Sequence, residues 1–220
     1  MSTMRSRGMS LLEITVALAV LGLMVGLAVM GIREPISQQR EREAVRELWS
    51  SALRARQVSL STNQPVRIVV DSNVAVPGRG TQTVARWERL KCDNDWNNNA
   101  CPQSSCINTT CRATPACCDA TGPDIVIPGT MDASRVHGLC FLPGNGRAVK
   151  PTTNPLGCMR GLLDDTAAIT AAAPGSVRLS FTSGRARSLL LVEPVTGLVE
   201  VLDCDSKSAE LNPETACTAP

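Results

Sequence analysis

Cysteine dominates the chemistry that this sequence could carry. The chain of 220 residues contains ten cysteines and one histidine. Six cysteines fall within 27 residues, from Cys92 to Cys118, in a segment with few apolar residues. Outside the cytosol such cysteines form disulfides, and a segment that cannot bury a core needs cross-links to keep its shape. The spacing leaves the connectivity open, and the disulfide candidates are Cys92, Cys101, Cys106, Cys111, Cys117, Cys118, Cys140, Cys158, Cys204 and Cys217.

The cysteine-rich segment 92–118 has two interpretations: a surface that contacts a neighbouring subunit, or a braced surface insertion with no partner. Its residues Asp93, Asp95 and Asn97 alternate as oxygen donors, as in the first part of a calcium loop. The glycine and glutamate of the sixth and twelfth positions of such a loop are both missing. We therefore expect no metal at these residues.

Catalysis has few candidate residues in this chain. His137 is the only histidine, and no motif places a serine or a carboxylate beside it. A glycine-rich phosphate-binding loop is also missing. The sequence therefore predicts a protein that is not an enzyme and holds no cofactor. The formal charge of +2 and the total of five aromatic residues (three Trp, two Phe) also argue against a nucleic-acid or sugar-stacking surface.

An apolar run near the start of the chain contains one charged residue. Residues 9–32 are 24 positions with Glu13 as the only charge. As a helix of about 36 Å, this run would cross a hydrocarbon core of about 30 Å. Arg5 and Arg7 would keep the amino terminus in the cytoplasm and place the remaining chain outside. The alternatives are a plain membrane anchor and a signal peptide cleaved after Ala28.

The stretch GMSLLEITV, residues 8–16, resembles the processing site of type IV prepilins and type II secretion pseudopilins. The resemblance implies that a prepilin peptidase cleaves between Gly8 and Met9 and methylates the new terminus, Met9. It also implies that Glu13 pairs with the terminal amine of a neighbouring subunit and sets the axial register of a filament. In an apolar filament core such a pair is far stronger than in water.

Later stretches narrow this resemblance to the GspH/FimT group of minor pilins and pseudopilins. They are SALRARQVSLSTNQPVRIVV, FLPGNGRA and the closing strands, so that the resemblance covers roughly residues 8–72 and 136–203. It implies a minor pilin that takes part in type IV pilus assembly, within a priming or tip complex. The alternatives are a GspH-type pseudopilin of a type II secretion system and a FimT-like DNA-uptake minor pilin. Cys204 and Cys217 resemble the pair that closes the C-terminal disulfide loop of type IV pilins, and the alternative is that each pairs with another cysteine.

The resemblance also implies the partners. These are other minor pilins, the major pilin and a tip adhesin, with the prepilin peptidase as processing enzyme and the inner membrane as the site of storage before assembly. The sequence GRAR supplies Arg185 and Arg187, which resemble the phosphate-contacting arginines of DNA-binding relatives. In those relatives the motif lies in the last hairpin, where this chain has Leu198 and Glu200. Nucleic acid is therefore not expected as a partner.

A long helix and a set of strands must position these residues. The helix ends at Asn63-Gln64-Pro65, and its apolar stripe comprises Val45, Leu48, Trp49, Ala52 and Ala55. Alternating, β-branched stretches predict strands within 65–72, 83–92, 124–128 and 136–149, and three strands within 176–204.

The predicted fold class is therefore α+β and pilin-like, with a long N-terminal, partly transmembrane α-helix packed as a spine on an antiparallel β-sheet domain. The predicted location is the bacterial inner membrane, single-pass with the C-terminal domain in the periplasm, and then the pilus and its extracellular tip. The predicted organisation is a leader peptide 1–8, a transmembrane or polymerisation helix 9–32, an amphipathic helix 33–62, a β-sheet domain 63–203 with the cysteine-rich insertion 92–118, and a disulfide-tethered tail 204–220.

Overall fold

A computed structural model describes residues 11–92, 102–151, 154, 156–159, 176–181, 188–193 and 195–203. Its one long helix, α1, runs from Leu11 to Thr62. The helix ends where Asn63 adopts a left-handed backbone conformation with φ of 52°, which asparagine tolerates better than most residues. The predicted helix end is therefore confirmed.

The chain divides into two compact units, and the boundary between Arg40 and Glu41 falls inside α1. The part of α1 before this boundary belongs to the first unit. The part from Glu41 onward belongs to the second unit, together with the described strands.

The predicted fold class and the predicted single-pass membrane location are both wrong. Within the described residues, no helix is long and apolar enough to cross a membrane. The helix is also not a spine of one domain, because the boundary between the two units divides it.

Eleven strands, all paired antiparallel, build three sheets in the described chain. They are β1 (Val66–Val76), β2 (Gly80–Leu90), β3 (Cys118–Thr121), β4 (Ile125–Ile127), β5 (Met131–Asp132), β6 (Cys140–Phe141), β7 (Ala148–Val149), β8 (Ser176–Arg178), β9 (Ser180–Phe181), β10 (Ser188–Val192) and β11 (Val199–Asp203). Short 3-10 turns lie at Ser104–Cys106, Pro115–Cys117 and Ser134–Val136. The strands predicted within 65–72, 83–92, 124–128 and 136–149 are confirmed, whereas four strands, not three, occupy the region 176–204.

The largest sheet has the order β3-β2-β1-β6-β7, and β4 also pairs with β2. The second sheet has the order β11-β10-β8, and the third pairs β5 with β9. β1 and β2 form the central hairpin, in which Val66 lies opposite Arg89. The register shifts between Asp71 and Val74, where Asn73 has a φ of 60°, so a bulge bends the hairpin at this point.

The core of the second unit lies between the last turns of α1 and one face of the large sheet. Val45, Leu48, Ala52 and Ala55 are buried, as the predicted stripe requires. Trp49 differs from the prediction, because the residue is 37% exposed and its Nε1 donates a 2.6 Å hydrogen bond to the carbonyl of Val199. A tryptophan with a polar ring nitrogen is better placed at the edge of a core, where that nitrogen reaches an acceptor.

Candidate functional site

The first turns of α1 expose an unusual number of large apolar side chains. Each of them is 46–81% exposed, and they are Leu11, Leu12, Ile14, Val16, Leu18, Val20, Leu21, Leu23 and Met24. They surround the helix on all sides, whereas a helix on the surface of a soluble unit has a polar face. Single exposed apolar residues are common, but a contiguous patch of this kind marks an interaction surface. We name these nine residues the apolar collar.

Glu13 lies within the apolar collar, in the first turn of α1, and is exposed. Acidic groups in the first turn of a helix interact favourably with the helix dipole. Gly8 and Met9, the predicted cleavage and methylation positions, lie outside the described residues.

Two glycines lie at the end of the apolar collar, Gly22 within it and Gly26 just after it. A Cβ atom added to either residue would meet no atom within 4 Å. The helix backbone is therefore open at two positions one turn apart, where another backbone could approach closely.

The cysteine-rich segment is cross-linked, and the predicted disulfides are confirmed for the described cysteines. Cys106 pairs with Cys117 and Cys111 pairs with Cys118. A third bridge joins the strand residue Cys140 to Cys158. Cys92 is also disulfide-bonded, while Cys101, Cys204 and Cys217 lie outside the described residues. Disulfides of this number are typical of an oxidising compartment such as the periplasm or the extracellular space.

A buried ion pair lies beneath this cross-linked segment, and none of the sequence patterns above predicts it. Arg67 of β1 and Glu88 of β2 face each other in the hairpin register, and Nη2 of Arg67 lies 2.9 Å from Oε2 of Glu88. Both side chains are fully buried. Arg86, two residues along β2 and on the same face, donates 2.8 Å from its Nη2 to Oε1 of Glu88. The neighbouring residues Val66 and Ile68 point to the opposite face, which packs on α1.

Arg67 donates hydrogen bonds to two backbone carbonyls of the cysteine-rich segment and to one carbonyl of the later segment around Leu156. Its Nη1 donates to Cys106 O at 3.2 Å and to Leu156 O at 2.8 Å, and its Nη2 donates to Thr109 O. Oε1 of Glu88 in turn accepts a 2.9 Å hydrogen bond from the backbone N–H of Cys111. Burial lowers the pKa of Arg67, and the charge of Glu88 opposes this shift. The sequence carried one signal for this cluster, namely charged residues that alternate with apolar residues near the start of β1 and the end of β2.

The same region groups Glu88, Cys111 and Cys118 within 4.8 Å of one another, a spacing that a metal ion could bridge. The two sulfur atoms are bonded to each other, so they are not thiolate ligands. The carboxylate already accepts hydrogen bonds from Arg67, Arg86 and Cys111. This group therefore does not fit a metal site. The calcium candidates Asp93, Asp95 and Asn97 lie outside the described residues.

An exposed ion-pair cluster lies at the rim of the same loop. Arg112 donates from Nε to Oδ2 of Asp71 at 3.3 Å and from Nη2 to Oδ1 of Asp124 at 2.6 Å. The hydrogen bond to Asp124 raises the pKa of Arg112. Because Arg112 is 36% exposed, this cluster is screened by water and stabilises the loop weakly.

His137 lies beside an open cleft of about 410 Å³. The cleft is lined by Val70, Ser72, Thr83, Met131, Asp132, Ala133, Ser134 and His137. Nδ1 of His137 accepts a 3.0 Å hydrogen bond from the backbone N–H of Val70. Since Nδ1 is the acceptor, it is not available as a base toward a nucleophile, and Asp132 already accepts from Ser134. The arrangement has no catalytic triad geometry.

Two turns that contain glycine, at Gly146 and Gly197, lie close together. Nε of Arg56 donates a 2.5 Å hydrogen bond to the carbonyl of Thr196, in the turn before β11. Gly146, in the turn before β7, has a φ of 65° and packs on Arg56 and Leu60. These contacts attach both turns to the last part of α1. The candidate DNA contacts Arg185 and Arg187 lie outside the described residues.

Comparison with known proteins identifies no relative. No protein-family model matches the chain, and no curated protein or solved structure matches it significantly. The function of the chain is therefore inferred from the apolar collar, the cross-linked loop and the residues themselves.

Proposed function

We propose that this protein is a minor pilin, a subunit that takes part in type IV pilus assembly through the amino-terminal part of α1. The observation that carries this proposal is the apolar collar, with exposed fractions from 46% for Ile14 to 81% for Leu11. At about 25 cal/mol per Å² of buried apolar surface, covering such side chains favours association strongly. A bundle of similar helices from neighbouring subunits would cover all sides of the collar at once.

Two further features support the proposal. The stretch 8–16 resembles a prepilin processing site, and Glu13 occupies the position that sets the register in that family. The described disulfides and the Arg67–Glu88 pair hold the exposed loop 102–118 in a fixed shape. A loop held rigid in advance loses little conformational entropy when it binds a neighbour. In this proposal other minor pilins and the major pilin supply the helices, and the braced loop contacts the adjacent subunit.

Site-specific photo-crosslinking in the native cells tests the proposal. A photoreactive residue replaces Leu18, which is 63% exposed within the collar. A matched control places it at Thr81, an exposed residue of β2. We expect the first variant, and not the second, to cross-link to the amino-terminal helices of pilus subunits. Cross-links from position 18 to lipid alone, or equal yields at both positions, would refute a subunit that assembles through this helix.

Mass spectrometry of the amino-terminal peptide provides an independent test. Cells with the prepilin peptidase should yield a peptide that begins at Met9 with a methylated amine, and cells without the peptidase should not. A peptide that begins at Val29 would instead indicate cleavage by a signal peptidase, and the minor-pilin proposal would then be wrong.

A further inference from the structure

The segment that leads into β6 is attached to β1 by an unusual ladder. Two of its hydrogen bonds join backbone groups: Ile68 N–H to Leu139 O and Gly138 N–H to Ile68 O, both at 2.8 Å. At the next step along β1 the acceptor is a side chain, because the Val70 N–H bonds to Nδ1 of His137 at 3.0 Å. The imidazole thus takes the place that a carbonyl oxygen occupies in an ordinary sheet.

We propose that His137 is an acid-sensitive latch, which holds residues 134–139 on β1 when its imidazole is neutral and releases them when it is protonated.

The chemistry of the ring supports this role. A neutral imidazole accepts a hydrogen bond at one nitrogen and carries its proton on the other, so Nδ1 is bare here and Nε2 carries the hydrogen. Protonation gives both nitrogens a hydrogen and removes the acceptor. Two N–H groups, those of Nδ1 and Val70, would then point at each other at a distance set by the sheet.

Charged groups from several elements act on this ring. Asp71 on β1 favours the imidazolium, while Lys150 after β7 and Arg67 on β1 disfavour it. Asp132 of β5 lines the same cleft and already accepts hydrogen bonds from Ser134. In the 3-10 turn, Arg135 offers its carbonyl to Nζ of Lys150 at 2.6 Å, and this bond holds the lysine near the cleft. Burial is the largest influence and lowers the pKa of His137, so the latch is closed at neutral pH.

Release would change the surface of the protein. Val136 and Leu139, which flank the histidine, are both fully buried. If the segment leaves β1, these side chains and the floor of the cleft at Val70 become accessible to solvent. The released segment also includes the residues that join the 3-10 turn Ser134–Val136 to β6, and therefore to the bridge between Cys140 and Cys158. That bridge limits the opening to the residues before Cys140.

Amide hydrogen exchange of the full oxidised chain tests the latch. Exchange is followed at pH 7.5 and pH 5.0, and the rate measured for each amide is corrected for the intrinsic dependence of exchange on pH. We expect protection at Val70 and Gly138 to fall roughly tenfold or more at the lower pH, while Val84, paired in the β1–β2 hairpin, changes little. The matched variant is His137→Gln, whose side-chain oxygen can accept from the Val70 N–H at both pH values and should remove the effect.

Two results would overturn the proposal. One is equal protection of Val70 and Gly138 at the two pH values, and the other is an equal fall in the His137→Gln variant. Nuclear magnetic resonance of the unmodified protein adds a test that needs no variant, because the chain has a single histidine and its ring signals assign themselves. We expect the neutral ring to carry its proton on Nε2, and a proton on Nδ1 at neutral pH would contradict the latch.

Discussion

Arg67 and Glu88 form an ion pair of 2.9 Å between β1 and β2, at a place where neither side chain is accessible to solvent. All five N–H groups of the guanidinium are used, two toward Glu88 and three toward backbone carbonyls. A buried ion pair adds little net stability, because the free-energy cost of removing both charges from water offsets much of their attraction. Its effect here is positional, because Arg67 holds the carbonyls of Cys106 and Thr109 in the cross-linked loop and that of Leu156 in a later segment against the sheet.

Replacement of one member of this pair should strongly destabilise the folded protein. We expect Arg67→Met to lower the free energy of unfolding by about 3–5 kcal/mol, since it leaves the carboxylate of Glu88 buried with fewer donors. Urea unfolding with the disulfides intact measures this loss. The matched control is Arg112→Met at the exposed cluster, for which we expect at most about 1 kcal/mol. Equal losses in the two variants would contradict the role assigned to Arg67.

The disulfide between Cys140 and Cys158 should stabilise the fold because it reduces the conformational entropy of the unfolded chain. It closes a loop with a sequence separation of 18 residues. We expect the double variant Cys140→Ala/Cys158→Ala to lose roughly 3 kcal/mol of unfolding free energy, because its unfolded chain gains conformational freedom. Denaturant unfolding of the two oxidised proteins provides the comparison. An unchanged midpoint and slope would show that this bridge does not constrain the unfolded state.

The turn before β11 depends on a glycine at position 197. Gly197 has a φ of 66°, and a Cβ atom at this residue would overlap the carbonyl oxygen of Gly146. We expect Gly197→Ala to destabilise the protein by about 1–3 kcal/mol, from backbone strain together with the clash. Gly129→Ala is the control, because a Cβ there meets nothing within 4 Å, and we expect a change within about 0.5 kcal/mol. Thermal or denaturant unfolding of both variants distinguishes these outcomes.

The stability of the second unit should depend on pH through His137. Its pKa is lowered in the folded state, mainly by burial, so the unfolded chain binds the proton more tightly than the folded chain. The stability is therefore complete above the unfolded pKa of about 6.5 and is lost as the pH falls from there through the lowered folded pKa. The unfolding free energy of the native protein minus that of His137→Gln should therefore decrease as the pH is lowered from 7.5 to 5. A difference that stays constant over this range would exclude a linked titration of His137.

A charged side chain in the apolar collar should prevent assembly without destabilising the fold. Leu21 is 57% exposed, so Leu21→Lys should leave the unfolding of the sheet-containing unit unchanged. If neighbouring helices cover the collar, the same change buries an unpaired charge and should abolish incorporation into the filament. Immunoblots of sheared filaments compare this variant with Thr81→Lys, which we expect to incorporate normally. Normal incorporation of Leu21→Lys would count against assembly through the collar.

Local patterns predicted several elements correctly. The stripe Val45, Leu48, Ala52 and Ala55 recurs with the helical period, and α1 buries these four residues. The β1 and β2 stretches carry the β-branched alternation that favours strands, and both form. The number and density of the cysteines predicted oxidation, which is confirmed for the described cysteines. Each of these predictions depends on residues that are near one another in sequence or on composition alone.

The fold class could not be obtained in this way. The apolar stretch at the start of the chain predicted a membrane-spanning spine, but within the described residues no helix is long and apolar enough to cross a membrane. Helical periodicity alone could not locate the boundary between the two units at Arg40 and Glu41, because the helix continues through it. A compact unit is defined by contacts distant in sequence, and no local window contains them.

The sequence alone determined the long helix and its end at Asn63, the strands of the central hairpin, and the oxidation of the described cysteines, because local conformational preference and composition decide these features. Tertiary structure decided which cysteines pair, which charged residues are buried, and which atom of His137 accepts a hydrogen bond. Arg67 meets Glu88 across 21 residues and Leu156 across 89, and Val70 meets His137 across 67. Contacts over such separations form only when the whole chain folds, since their loop-closure entropy is offset by many other contacts at once.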